Sequence, residues 1–235
     1  MNFREGEIIC VNKPYRVSSF GALAFVRTRI SKALGVKRVK TGHAGTLDPL
    51  ATGVLVLCTG KATKKIEQLQ LQDKEYTATL QFGATTASYD MEHPESEWFP
   101  TDHVTEEAVR NVLTQFEGDI MQVPPVFSAC NINGKRAYDL ARNNCEVELK
   151  AKPVKISEIE LTGFDAEKKQ AQIRVVCGKG TYIRSLARDI GEALRSGAYL
   201  TQLCRTRVGR FRIEDSITFD GFDEWLSGQE LEPYE

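Results

Sequence analysis

The sequence lacks the long apolar runs and the leader pattern that direct a protein into or across a membrane. No apolar stretch among its 235 residues approaches the roughly 18 residues of a membrane span. The opening MNFREGEIICVNKP has neither an apolar core nor a small-residue cleavage site. Both absences argue against membrane and secreted proteins. Because 41% of the residues are hydrophobic, the composition favours a globular protein, which we expect in the cytoplasm.

Histidine is scarce and cysteine is scattered. His43, His93 and His103 form no helical i,i+4 pair with one another or with a carboxylate, so no metal-ligand motif is recognisable. The six cysteines include no C-x-x-C pair, and several lie in apolar stretches such as GVLVLCTG, which is typical of reduced core thiols. We therefore predict that the protein holds no metal.

Two familiar catalytic motifs are missing as well. The sequence has no G-x-S-x-G nucleophile elbow. The stretch CGKGTY fails as a phosphate loop, because Ile173 stands where the first glycine is needed and Gly180 where serine or threonine is needed. Cys130, in FSACN, has no histidine assigned to it and is interpreted as a packed thiol. These features argue against a nucleotide-binding enzyme and against a cysteine nucleophile.

Charge is nearly balanced overall, at −1, but it is unevenly distributed along the chain. Residues 27–65 contain nine lysines and arginines and a single acid, Asp48. Residues 179–212 contain eight basic residues, Arg205 among them, and two acids. Two interpretations remain open on charge alone: the two basic blocks form one positive surface for nucleic acid, or they are two ordinary solvated faces.

Hydrophobic periodicity predicts a mixture of strands and helices in the first half of the chain. GEIICVNKP is predicted as a strand stopped by Pro14, and SSFGALAFVRTRISKALG as a helix with a serine cap that ends at Gly35. The stretch from Lys40 to Leu55 is predicted as a loop, apart from the buried strand VLVLCT at its end, and KATKKIEQLQ as a short helix. KEYTATLQFG alternates strictly and places Tyr76 on the apolar face of a strand.

The second half continues the same mixture. ASYDMEHPESEWFPTDH is predicted as a polar loop, TEEAVRNVLTQF as a helix capped by Thr105, and GKRAYDLARNN as another helix. Strands are expected near 146–162 and 170–177, followed by the helix GTYIRSLARDIGEALRSG, the basic strand LCRTRVGRFRIED and the helical turn FDEWL. Because regular βαβ spacing is absent, one compact α+β domain is predicted.

The unusual feature of the sequence is the aspartate in KTGHAGTLDPLATGVL. An aspartate in such a loop is most often part of an Asx-turn or a helix cap. Gly42, Gly45, Pro49 and Gly53 bracket Asp48, however, and indicate a tightly specified backbone that holds one side chain at a surface. Loops of that kind commonly present functional groups. On the residues alone, both interpretations stay open.

Five stretches resemble motifs of the TruB family, the tRNA pseudouridine-55 synthases. GHAGTLDPLATGVLVLCTGKATK is similar to the catalytic loop, EIICVNKPYRVSSFGALAFVR to the N-terminal motif, KEYTATLQFG to the tyrosine strand, and GKGTYIRSLARDIGEAL with LTQLCRTRVGRF to the C-terminal motifs. The resemblance spans about residues 6–213. It implies a catalytic domain over 1–213, with a mixed, largely antiparallel sheet flanked by helices around an RNA-binding cleft. Many members of that family continue into a C-terminal PUA domain, whereas here about twenty residues follow RVGRFRI. We therefore expect an acidic tail over 214–235 and no PUA domain.

The resemblance further implies a reaction: cofactor-free isomerisation of uridine 55 in the tRNA T-loop, by base flipping, cleavage of the glycosidic bond and rejoining through C5. Asp48 matches the catalytic aspartate, which acts as a nucleophile on ribose or base, or as a base toward the ribose. Tyr76 matches the tyrosine that stacks on the target base, and Arg184 the arginine that pairs with the aspartate. The substrate-binding residues implied are His43, Asp90, Leu203, Lys64 and Lys13. The glycine that usually follows the position of Asp90 is missing here.

Two alternatives were weighed against this function. A non-catalytic RNA-binding module would use the basic blocks without Asp48, but Asp48, Tyr76 and Arg184 are all present. An RNA-guided synthase of the related eukaryotic and archaeal branch shares H-x-G-T-L-D-P, but DPLATGVL and the expected lack of a C-terminal RNA-binding domain favour the bacterial type. We expect a monomer that acts on the T-arm of tRNA with no obligatory protein partner.

Overall fold

The computed structural model describes residues 1–127, 131–132, 135–136 and 149–234. The chain forms two compact units. The first comprises Met1–Tyr76 with Leu203–Glu235, and the second comprises Thr77–Gln202.

The strands are β1 (Ile8–Lys13), β2 (Thr41–His43), β3 (Thr52–Thr59), β4 (Lys74–Phe82), β5 (Ala84–Thr86), β6 (Glu95–Trp98), β7 (Gly118–Gln122), β8 (Asn131–Ile132), β9 (Lys135–Arg136), β10 (Lys152–Asp165), β11 (Gln170–Cys177), β12 (Ala198–Val208) and β13 (Phe211–Arg212). The α-helices are α1 (Ser19–Ala33), α2 (Ile66–Gln70), α3 (Glu106–Leu113), α4 (Ile183–Ala193) and α5 (Phe222–Ser227). Short 3-10 segments cover Gly60–Lys65, Thr114–Phe116 and Ile213–Asp215.

The sheet of the first unit has β3 at its centre. β1 and β2 pair with β3 in antiparallel fashion, β12 pairs with it in parallel, and β13 returns against β12. Alternate residues of β3 enter two different cores: Leu55 and Leu57 face one, whereas Val54 and Val56 face the other. A strand covered on both faces needs a continuous apolar run, which explains why VLVLCT lacks the usual alternation.

Helix α1 begins and ends where its sequence predicts. Ser18 caps it by accepting a hydrogen bond from the N–H of Gly21 at 3.0 Å, and Gly35 follows its end with φ 65°. Leu23, Val26 and Ile30 are buried on its inner face, because residues three or four apart lie on one side of a helix.

The C-terminal segment packs within the first unit. Phe222 of α5 is fully buried, and Tyr234 packs against the same core. The N–H of Glu232 donates to the main-chain oxygen of Met1 at 3.0 Å. The domain boundary expected at residue 213 stays a prediction.

In the second unit the strand order is β12–β4–β11–β10–β7. β10 pairs with both β11 and β7 in antiparallel fashion, with two irregularities of register against β11. Helix α4 buries Ile183, Leu186 and Ile190, as the apolar stripe predicted. The mixed, largely antiparallel sheet flanked by helices confirms the α+β class.

Two local predictions are wrong. Residues 41–43 form β2 rather than loop, and the predicted polar loop, residues 87–103, contains β6, which pairs with β5 just before it. β6 is exposed along its whole length, so no apolar alternation marks it in the sequence. Of the helix predicted for GKRAYDLARNN, only Lys135 and Arg136 are described, and they form β9 instead. The rest of that stretch and Cys130 lie outside the described residues. Within the part of the chain that is described, no helix is both long and apolar enough to cross a membrane.

Candidate active site

Asp48 lies in the eight-residue loop that joins β2 to β3, residues 44–51. The loop starts with a hydrogen bond from the N–H of Ala44 to Val56 O at 2.8 Å, and it turns with one from the N–H of Ala51 to Asp48 O at 3.1 Å. Just before the aspartate, the N–H of Leu47 donates to Ser19 Oγ at 2.7 Å, and that hydroxyl donates to Leu47 O at 2.8 Å. The main chain preceding Asp48 is therefore fixed to the first residue of α1.

A buried ammonium holds the other side of the loop. Lys13 ends β1 and is fully buried. Its Nζ donates to the carbonyl oxygens of Pro14 at 3.1 Å, Val17 at 2.6 Å and Pro49 at 3.3 Å. The N–H of Arg16 also donates to Pro49 O, at 2.8 Å. The residue directly after Asp48 is thus anchored by two donors, and the expected contact of Lys13 with substrate stays a prediction.

A buried guanidinium holds the start of the loop. Arg205 of β12 is only 1% exposed. Its Nε donates to Val54 O at 2.8 Å, its Nη1 to Thr46 O at 3.3 Å and its Nη2 to Gly45 O at 3.2 Å. The sequence places this arginine in a basic block, and nothing in the pattern distinguishes it from its exposed neighbours, since arginine is seldom fully buried.

The glycines around Asp48 meet steric demands of the loop. Gly45 has φ 109° and Gly53 has φ 102°, values that side-chain-bearing residues rarely adopt. A Cβ at Gly53 would also lie 2.2 Å from the carbonyl oxygen of Arg205, where β3 and β12 run side by side. The prediction that these glycines specify a tight backbone is confirmed.

The charges of Asp48 and Arg205 both act on the Lys13 ammonium. Burial lowers the pKa of Lys13 to about 8, the charge of Asp48 raises it, and the charge of Arg205 lowers it further. Asp48 is half-buried. The carboxylate therefore sits within electrostatic range of a desolvated ammonium and keeps some access to solvent.

Four other candidate residues belong to the same unit. His43 is the last residue of β2, and burial, helped by the charge of Arg205, lowers its pKa, so the imidazole is neutral near pH 7. Tyr76 is buried on β4, as the alternation predicted. Leu203 O accepts a hydrogen bond from Thr52 Oγ1 at 3.5 Å, at the point where the loop enters β3. Lys64 is exposed in a 3-10 turn.

The remaining two candidates, Arg184 and Asp90, belong to the second unit and lie together. Arg184 is 4% exposed and Asp90 is 6% exposed. Arg184 Nη1 donates to Ser88 O at 3.2 Å and Nη2 to Phe127 O at 2.9 Å, and its Nε lies 3.8 Å from Asp90 Oδ2.

Asp90 is also held by its own turn. Its Oδ1 accepts from Ser88 Oγ at 2.5 Å and from the N–H of Glu92 at 2.9 Å. This carboxylate helps to fix the turn that follows β5. The pairing of Arg184 with Asp48 and the contact of Asp90 with substrate stay predictions.

Together these features describe a rigid carboxylate loop suited to nucleophilic or general-base chemistry. A side chain held before substrate arrives loses little entropy on reaction. Among the described residues, no group of three His, Cys, Asp or Glu side chains is placed to hold a metal ion.

Comparison with known proteins assigns nearly the whole chain to one kind of enzyme. Residues 31–183 match the TruB family pseudouridylate synthase (N terminal domain), and residues 184–233 match the tRNA pseudouridylate synthase B C-terminal domain. The tRNA pseudouridine synthase B of Phocaeicola vulgatus is 57% identical over 232 residues, which are 99% of this chain and 98% of that protein. That of Bacteroides thetaiotaomicron is 58% identical over 234 residues, again 99% and 98%.

A solved structure has a similar fold. The crystal structure of a Cbf5-Nop10-Gar1 complex contains a chain that superposes with a TM-score of 0.69 at 31% identity. The match covers 97% of the present chain and 58% of the solved one.

Proposed function

Because the chain belongs to the TruB family of pseudouridylate synthases, we propose that it isomerises uridine to pseudouridine at position 55 in the T-loop of tRNA. The structural observation that supports this most is the fixed backbone on both sides of Asp48. Ser19, Lys13 and Arg205 hold that backbone through hydrogen bonds that are buried or partly buried. A loop built in this way presents one carboxylate in one geometry.

The reaction balances without a cofactor. The bond between ribose C1′ and uracil N1 breaks, and a bond from C1′ to uracil C5 forms. The proton on C5 leaves and N1 ends protonated, so no electrons are gained or lost and no water is consumed. The protein must supply a group that assists cleavage, a surface for the detached base and a path for one proton.

Asp48 is the group that we assign to cleavage. Three roles fit a half-buried carboxylate on a rigid loop: attack on ribose C1′, attack on the base, and removal of a ribose proton. Each requires an oriented oxygen, which the anchors of the loop supply. Arg184, already fixed by Ser88 O and Phe127 O, is proposed to pair with Asp48, as the family resemblance implies.

Tyr76 and Leu203 are proposed to receive the flipped uracil. An aromatic face returns part of the stacking that the base loses, about 1–3 kcal/mol. The Tyr76 hydroxyl is proposed to take part in the transfer of the C5 proton.

His43 is proposed to fill the gap that the base leaves in the RNA stack. The lowered pKa of its imidazole keeps the ring neutral, which suits stacking between bases. Unstacking and unpairing a base costs a few kcal/mol, and an inserted ring offsets part of that cost.

The finer aspects of the substrate are also proposals. We infer that Lys64 contacts backbone phosphate, that Asp90 contacts the substrate, and that the isolated T-arm suffices as substrate. Lys13 is fully buried with its ammonium on three carbonyl oxygens, so we propose that it serves substrate binding by holding the Asp48 loop. A cytoplasmic monomer without an obligatory protein partner is proposed as the working form. The related chain in the Cbf5-Nop10-Gar1 structure is part of a complex.

The test is release of tritium from 5-tritiated uridine in a T-arm stem-loop and in full-length tRNA transcript. Replacement of the C5 hydrogen is unique to formation of the C–C bond, so release should equal pseudouridine formed at position 55. A transcript with cytidine at that position is the control. No release from either substrate, with the protein folded, would exclude the proposed function.

A further inference from the structure

Arg205 and Lys13 contact the Asp48 loop in a way that separates them from ordinary core residues. Arg205 uses one planar guanidinium to hold three carbonyl oxygens: those of Gly45 and Thr46 before the aspartate, and that of Val54 in β3. A guanidinium presents its donors in a fixed fork, so these contacts set the distance between the loop and the strand that follows it.

Lys13 holds the opposite side. Its ammonium donates a hydrogen bond to Pro49 O at 3.3 Å, and Pro49 directly follows Asp48. The two cations therefore hold main-chain oxygens three and two residues before the aspartate and one residue after it. Every one of these contacts goes to the backbone, so none depends on the side chain of the loop residue that carries the oxygen.

Burying the two cations costs free energy, which indicates that the arrangement has a role besides packing. Each cation has lost its water, and the two repel one another, since the charge of Arg205 opposes protonation of Lys13. A buried ion cluster contributes little net stability compared with apolar residues of similar volume. The anion whose charge favours the protonated form of Lys13 is Asp48, the residue whose geometry the reaction needs.

We propose that Arg205 is a positioning residue for Asp48. Its buried guanidinium holds the loop carbonyls before Asp48, the Lys13 ammonium holds the one after it, and the carboxylate thereby has its reactive orientation before RNA binds. Arg205 then acts on catalysis through the loop and makes no contact with RNA. This inference rests on the proposed function, and it assigns to one arginine of a basic block a task different from phosphate binding.

The first experiment separates positioning from RNA binding. Arg205→Gln removes the charge and most of the fork, whereas Arg205→Lys keeps the charge and reaches fewer carbonyls. Single-turnover rates, RNA affinity by filter binding and thermal unfolding are measured for both. Arg110→Gln is the matched control, because Arg110 is exposed on α3 and pairs with Glu106 on the same helix.

For Arg205→Gln we expect the single-turnover rate to fall about a hundredfold or more, since misplacement by about 1 Å has that effect. RNA affinity should stay within about threefold of the wild type. Arg205→Lys should recover about tenfold of the lost rate, and Arg110→Gln should match the wild type. A loss in RNA affinity alone, or a wild-type rate in either Arg205 variant, would overturn the proposal.

The second experiment measures the pKa of His43, next to the loop, and needs no activity assay. The imidazole of His43 has its pKa lowered in part by Arg205, and the chain contains only three histidines. NMR titration should show the His43 pKa rising in Arg205→Gln. Unchanged titration of His43 would overturn the proposal. If the wild type released no tritium, the proposed function would fail while this titration still tested the organisation of the loop.

Discussion

Ser19 and Leu47 are joined by a reciprocal pair of hydrogen bonds, in which one hydroxyl accepts from the N–H of Leu47 at 2.7 Å and donates to its carbonyl at 2.8 Å. Both residues are buried. The first turn of α1 is therefore fastened to the residue that precedes the proposed catalytic aspartate. The rigidity of the loop at Asp48 thus depends on a helix far from it in sequence. Mutation of Ser19 tests this dependence.

Ser19→Ala should lower both stability and rate. It leaves the N–H and C=O of Leu47 buried without their partner, which costs about 1–3 kcal/mol. Ser18→Ala is the matched control, because it removes a cap worth about 1 kcal/mol from the same helix without touching the loop. Chemical denaturation and single-turnover assays should show similar stability losses but a slower reaction only for Ser19→Ala. Equal rates in the two variants would contradict the proposed coupling.

Tyr76 should act through both its ring and its hydroxyl. Tyr76→Phe keeps the stacking surface and should bind RNA normally while losing the proton-transfer step. Tyr76→Leu should weaken both, because the stacking of about 1–3 kcal/mol is lost as well. RNA affinity and turnover are measured side by side. Equal and mild effects of the two substitutions would mean that Tyr76 serves only the core.

Lys13 should give activity and stability opposite dependences on pH. Its pKa is lowered to about 8, so above that pH the ammonium loses a proton and one of its carbonyl contacts weakens. The rate should therefore fall as the pH rises through about 8. The folded-state pKa lies below the unfolded one, so the folded form releases its proton first.

The consequence for stability has the opposite sign. Between about pH 8 and the ordinary lysine pKa, the unfolded state binds more protons, and this group's contribution to the free energy of unfolding rises with pH. The charges that act on Lys13 are Asp48 and Arg205. A pH–rate profile is compared with urea unfolding from pH 6.5 to 9.5. A rate that stays flat across pH 8 would contradict this role for Lys13.

Gly53→Ala should be far more damaging than an alanine at another left-handed glycine. At Gly53 the new Cβ would lie 2.2 Å from Arg205 O, whereas at Gly35, with φ 65°, it would meet nothing within 4 Å. Gly35→Ala then costs only the left-handed strain of about 1–2 kcal/mol. Thermal unfolding and turnover should show a much larger loss for Gly53→Ala. Similar losses would show that the β3–β12 approach is adaptable.

The sequence predicts those parts of the molecule whose causes are local. Helix α1 is predicted by its cap at Ser18 and by its apolar stripe. The tight loop around Asp48 is predicted by the glycines on both sides of it. β2 could not be predicted, because three residues carry no periodicity and the strand exists only through pairing with β3.

The site shows the same division. Asp48 and Tyr76 stand out through loop composition and strand alternation. The burial of Arg205 is invisible in the sequence, because its environment is created by residues about 150 positions earlier in the chain. The burial of Arg184 against Asp90 likewise depends on the fold, and an isolated helix pattern would leave that arginine on the surface.

The central claim is that Asp48 performs the chemistry, and Asp48→Asn tests it most directly. The substitution keeps the size of the side chain and removes the charge. Tritium release from T-arm uridine should fall by at least about a thousandfold, a loss of ~4 kcal/mol in transition-state stabilisation. RNA affinity and the unfolding temperature should remain close to those of the wild type. Wild-type turnover by Asp48→Asn would contradict the account.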